Sequence, residues 1–137
     1  MSSAEQNTAK ESLSGLRILY ADDMKERRDV ASAALTREGH RIECVASGAE
    51  ALRRLTEDPA AINLLITDHH MPGMDGIALV QAVREREIPC RILVFCSALS
   101  RDVHDAYRRF AVDRVLYKPV LPSDLRRTIR DIFAEDQ

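Results

Sequence analysis

The stretch Leu64-Leu65-Ile66-Thr67-Asp68-His69-His70-Met71-Pro72-Gly73-Met74-Asp75-Gly76 puts one carboxylate, Asp68, at the tip of an apolar run. Three consecutive apolar residues with Pro and Gly close behind suit a strand covered on both faces, as in a parallel sheet between helices. The polar end of such a strand is its carboxyl edge, where open α/β sheets place their chemistry. Pro72 stops the strand, and Gly73 and Gly76 permit a tight turn before a helical run starting near Ile77.

Outward from this stretch the chain alternates. Ahead of it, Leu16 to Tyr20 reads as a strand ending in Ala21-Asp22-Asp23, and Lys25 to Glu38 as a helix stopped by Gly39. Arg41 to Val45 alternates polar and apolar like a half-covered strand near a sheet edge, and Ser47-Gly48-Ala49-Glu50 has the capping-box form. The helix it starts is broken at Asp58-Pro59, and the central strand is read as Asn63 to Asp68. Beyond it, Ile77, Leu79, Val80 and Val83 make a third helix that Ile88-Pro89 closes, and Arg91 to Cys96 is the fourth strand. Ser100 caps a helix carrying Val103, Ala106, Tyr107 and Phe110. Arg114 to Tyr117, Lys118-Pro119 and a closing helix from Pro122 to Ala134 complete the series.

Strands beginning on the order of two dozen residues apart are what right-handed βαβ crossovers require. The expected architecture is an α/β flavodoxin-like doubly wound sheet of five parallel strands with five helices, in the order 2-1-3-4-5, one of the two common ways to lay out such a chain. In that order strands one and three are neighbours, so Asp22, Asp23 and Asp68 meet at one edge.

The 137 residues suit one domain. A formal net charge of -2 with interspersed signs argues against nucleic acid as the main partner. No apolar run reaches bilayer length, and Met1 to Gly15 lacks the core of a secretory signal, so a soluble cytoplasmic chain is expected. Met1 to Ser14 reads as a flexible tail. The three cysteines, Cys44, Cys90 and Cys96, are too scattered for a disulfide framework or zinc knuckle and are read as reduced, buried thiols.

Three carboxylates in one pocket repel unless a cation sits among them, and a hard divalent ion such as magnesium accepts carboxylates, a backbone carbonyl and waters. Lys118 would add a positive charge from the end of strand five and Ser97 a hydroxyl from strand four. A carboxylate nucleophile, a metal, a cation and a hydroxyl are what phosphoryl transfer onto Asp68 needs. Taken singly, an acidic pair is most often a solvated loop or cap, Lys118 a surface lysine and Ser97 a loop start. Asp75 reads as a turn or capping residue.

With these residues in place, the chain resembles the response regulator receiver domains of two-component signalling. The matching pieces are Asp22-Asp23, Asp68 followed by Met71-Pro72-Gly73-Met74-Asp75-Gly76, Ser97-Ala98 and Lys118-Pro119, each after a strand, over Leu16 to Phe133. The resemblance implies a receiver domain over 15–137, of stand-alone type with no output domain. It implies that Asp68 accepts a phosphoryl group from a histidine kinase or phosphotransfer protein. Asp23 would bind Mg2+ directly, Asp22 mainly through water, with Asp68 and the main-chain carbonyl of His70 completing the protein ligands. Lys118 would pair with phosphoryl oxygens. Ser97 would carry the change to the face of helix four, strand five and helix five, where a downstream protein docks. Such a domain is a phosphoacceptor, not an enzyme acting on other substrates; the alternative is an adaptor that binds partners independently of phosphorylation.

Two departures stand out. Receiver domains usually carry an aromatic three positions before the lysine, where this chain has Val115, and often a glycine at the end of helix four, where it has Phe110-Ala111-Val112. Alanine resists the left-handed conformation by roughly 1 kcal/mol or more, so that helix is expected to fray or end differently. His69-His70 is read as two loop side chains, against the sharper alternatives of a transition-metal site or a modulator of phosphoryl lifetime, because imidazole is a poor magnesium ligand.

Overall fold

The structure, a computed structural model, describes residues 13–134. The expected tail lies outside them except for Leu13 and Ser14. Five strands, β1 (Arg17–Ala21), β2 (Arg41–Val45), β3 (Leu64–Asp68), β4 (Arg91–Cys96) and β5 (Arg114–Tyr117), alternate with α1 (Lys25–Arg37), α2 (Gly48–Glu57), α3 (Gly76–Glu85), α4 (Arg101–Arg109) and α5 (Pro122–Ala134). The strands are all parallel, in the order β2-β1-β3-β4-β5. Fold class, strand order and helix number are those the sequence implies.

The parallel sheet is buried on both sides because each crossover lays a helix on a face. Ile18, Tyr20, Leu64, Ile66, Leu93 and Phe95 pack with Ala31 and Leu35 of α1 and Leu125, Ile129 and Ile132 of α5. Leu19, Leu65, Ile92 and Val94 point the other way, into α2, α3 and Tyr107 of α4. All five residues of β3 are buried, which makes it the central strand. Each Leu or Ile taken fully from water contributes about 1.5–3 kcal/mol, so these two layers fix the register that aims Asp68 at the carboxyl edge.

β2 is an edge strand with an alternating pattern of exposure. Cys44 consequently lies exposed, a correction to the expectation of three buried thiols; Cys90 and Cys96 are buried, and all three are free. Burial pushes the Cys90 thiol up to about 11.

The Ser47 hydroxyl accepts from the Glu50 N–H, while the Glu50 carboxylate reaches back to the Ala46 N–H, one residue short of the reciprocal partner of a capping box. α3 stops at Glu85, ahead of Ile88-Pro89, because Glu87 turns into the left-handed region at φ +55°. α4 does not fray. Ala111 adopts φ +57°, its N–H bonds to Arg108 O and that of Val112 to Tyr107 O, the closing pattern a glycine would make. Arg84, from α3, donates to Phe110 O and Ala111 O at 3.0 Å each and to Cys90 O at 3.0 Å. These charge-assisted bonds, on the order of 1.5–3 kcal/mol each, exceed the cost of alanine at positive φ.

Candidate functional site: an acidic pocket at the carboxyl edge

Ladder hydrogen bonds that continue past the strand ends place the site. Asp22 N–H bonds to Val45 O, His69 N–H to Phe95 O and Lys118 N–H to Cys96 O, so residues from three strand ends are held as rungs of one sheet. Asp22, Asp23 and Asp68 each bring a carboxylate oxygen within 4.8 Å of the others.

Their environments differ. Asp22 is fully buried and both its oxygens are engaged, Oδ2 by the Tyr20 hydroxyl at 3.0 Å and Oδ1 by the Met24 N–H at 2.9 Å. Burial, then the charge of Asp22, pushes the Tyr20 hydroxyl far above its ordinary pKa, so it stays protonated and donating. Asp23 is exposed. Asp68 is 1% exposed, and its Oδ1 accepts no hydrogen bond. The Lys118 ammonium pairs with that oxygen as a point charge outside hydrogen-bond geometry.

A second cation stands at the mouth. Arg27, on the first turn of α1, brings Nη1 within 3.7 Å of Asp68 Oδ2 and 3.9 Å of Asp22 Oδ1, with its side chain 46% exposed. Sequence reading passed over Arg27 and Tyr20. Arg27 sits four residues after Asp23, so one helical turn returns it over the acidic pair, a spacing that could have flagged it.

Buried carboxylates this close are costly unless cations neutralise them. Three clustered carboxylates, with Asp68 buried and Asp23 exposed, suit a hard, oxygen-seeking divalent ion, which keeps part of its water shell.

Ser97 is exposed at the end of β4, and among the described residues no hydrogen bond joins it to Asp68. His70 is exposed, whereas His69 is buried. The His69 Nδ1 lies 2.5 Å from the Tyr107 hydroxyl, and its ring meets those of Tyr107 and His70 edge-on. Burial, and the neighbouring His70, lower the His69 pKa, while burial raises that of Tyr107. His69 is therefore a core residue and neither histidine joins the acidic cluster. Asp75 caps α3, accepting from the Ala78 N–H at 2.9 Å. The aromatic position before the lysine holds Val115, half-buried against the α2–α4 side of the core, and Tyr117 faces solvent.

Residues 18–130 match the family model of the response regulator receiver domain. The chain belongs to that family. It is 34% identical over 114 residues to the two-component response regulator ORR5 of Oryza sativa subsp. japonica, covering 80% of this chain and 83% of the relative. It is also 29% identical over 127 residues to the sensor histidine kinase AruS of Pseudomonas aeruginosa, covering 88% of this chain but 12% of that kinase. Among solved structures, a CheY-like receiver domain protein from Methanospirillum hungatei superposes with a TM-score of 0.81 at 27% identity, over 89% of this chain and 96% of that one. The chemotaxis protein CheY4 of Vibrio cholerae does so with a TM-score of 0.79 at 27% identity, over 87% and 99%. A receiver domain is a signalling module, and this one keeps its acidic cluster at the sheet edge. Among the described residues no helix is long and apolar enough to cross a membrane.

Proposed function

We propose that this receiver domain accepts a phosphoryl group on Asp68 from a histidine kinase or histidine phosphotransfer protein, in the cytoplasm, and passes the signal on by protein contact or phosphorelay. The observation that carries the reading is the state of Asp68. It is a buried carboxylate with Lys118 on one oxygen, Arg27 near the other and two further aspartates within 4.8 Å.

In the reaction a carboxylate oxygen of Asp68 attacks the phosphorus of a phosphohistidine. The new O–P bond forms as the N–P bond breaks, and the electron pair leaves with the imidazole, which takes a proton from solvent. Lys118 holds Asp68 in place and offers its ammonium to the charge on the transferred oxygens; Arg27 stands where an incoming phosphoryl group would pass. Asp23, Asp68 and the main-chain carbonyl of His70 would hold Mg2+, with Asp22 acting through water because Tyr20 and Met24 already engage its oxygens. A bound ion would neutralise the carboxylates and clamp phosphoryl oxygens. Ser97, which follows β4 at the same edge, would turn toward the phosphoryl group. The downstream partner would dock on the face of α4, β5 and α5. In this reading the chain is a phosphoacceptor rather than an enzyme acting on other substrates.

The test is incubation with Mg2+ and a small-molecule phosphodonor, read by intact mass. Wild type gains a phosphoryl group, and Asp68→Asn gains none. Modification of Asp68→Asn to the wild-type extent overturns the assignment. Modification that leaves partner binding unchanged points to the phosphorylation-independent adaptor, a reading favoured by Val115.

A further inference from the structure

We propose that Tyr107 is a positioning residue that ties the loop after Asp68 to α4 and carries the state of the acceptor into that helix. The proposal rests on the phosphoacceptor reading above. Tyr107 is the one buried residue of α4. Its hydroxyl meets Nδ1 of His69, the residue bonded to Asp68, at 2.5 Å, and the two rings stand edge-on with centroids 5.5 Å apart.

The loop is built around that hydroxyl. Gly76 N–H closes the turn onto His69 O at 2.9 Å, and a β-carbon on Gly76 would collide with the Tyr107 oxygen. A side chain at position 76 would force the phenol or the loop backbone at Asp68-His69 to shift. The peptide of His69 is itself a rung to Phe95, so a shift of the Asp68 backbone moves His69 as well.

No ring offers a competing route through β5. Val115 is branched, has one narrow set of side-chain positions and packs into the core, while Tyr117 faces solvent. The hydrogen-bonded pair must move together, since separating it within the core strands a donor and an acceptor. Two sites joined by an element that both can bias are coupled, and the coupling is reciprocal.

The experiment uses the full chain with Mg2+ and beryllofluoride, read by backbone amide shifts. In wild type the amides of 68–76 and of 101–109 both respond. In Tyr107→Phe, which keeps the ring, the 68–76 response persists and the α4 response falls several-fold. His69→Leu behaves like Tyr107→Phe, whereas His69→Asn, which sets an amide oxygen close to where Nδ1 stands, restores the α4 response. Wild-type α4 shifts in Tyr107→Phe, or in His69→Leu should the phenylalanine variant not fold, overturn the proposal. Absence of any pocket response in wild type overturns the acceptor reading first, and this coupling with it.

Discussion

The acidic pocket and the far end of α4 lie on the same molecule but are held by opposite means. The pocket gathers three like charges and offsets them with Lys118 and Arg27, cations on partly exposed side chains that an added ion can replace or displace. The α4 end gathers orphan carbonyls and satisfies them from one guanidinium, Arg84, with donors no solute substitutes. Stability at the first place is therefore exchangeable with the solution. At the second it is built into the chain.

Four experiments would break or sharpen that contrast. Lys118→Met leaves a buried carboxylate without its nearest counter-charge and is expected to cost about 3 kcal/mol in chelator, most of it regained in saturating Mg2+ because an ion bound only to the native state stabilises it. Chemical denaturation with and without Mg2+ measures this, and a loss that the ion leaves untouched would show the pocket to be as fixed as the α4 end. Arg84→Ala should cost about 2–3 kcal/mol in the same assay, equally in either buffer. Ala111→Gly should gain roughly 0.5–1 kcal/mol, since it relieves a β-carbon at φ +57° on an exposed residue. Arg27→Gln should tighten Mg2+ binding a few-fold by calorimetry, about 0.5–1 kcal/mol and less in high salt, because a half-exposed competitor for Asp22 and Asp68 is gone.

A fifth and smaller effect concerns pH. The His40 Nδ1 accepts from the Leu16 N–H at 3.2 Å, and burial lowers its pKa from the ordinary 6.5. Below 6.5 the unfolded chain therefore binds more protons than the native one. The stability His40 contributes is whole above 6.5 and drains away as pH falls from there through its lowered native value. The unfolding midpoint should drop on acidification through this window, with a shallower slope in His40→Asn, which keeps an acceptor but does not titrate. His69, shifted the same way, leaves part of the slope in place.

The pocket was legible in the sequence because strand ends announce themselves. An apolar run that stops at Asp68, another at Asp22 and a third at Lys118-Pro119 need only the strand order to be brought together, and 2-1-3-4-5 is one of the two common orders open to such an alternating chain. The role of His69 was not legible, since its partner Tyr107 lies 38 positions away on a helix whose apolar spacing shows that the ring is buried but not what its hydroxyl touches. The end of α4 was misjudged for the same reason. Alanine at a left-handed position is unfavourable by local rules, and the donors that outweigh it come from α3. Cys44 was misplaced because the edge strand was recognised but its outward face was not extended to the thiol.

The tyrosines give the pocket and its link to α4 an optical signature of their own. The chain has no tryptophan and three tyrosines: Tyr20 hydrogen-bonded beside the carboxylates, Tyr107 under the loop glycine, and Tyr117 in water. Ultraviolet absorption and emission near the phenol bands thus arise from one reporter beside the carboxylates, one in the seam between the loop after Asp68 and α4, and one solvent reference. Phenylalanine replacements taken one at a time would let unlabelled protein display cation entry and helix rearrangement as separate colours of the same spectrum.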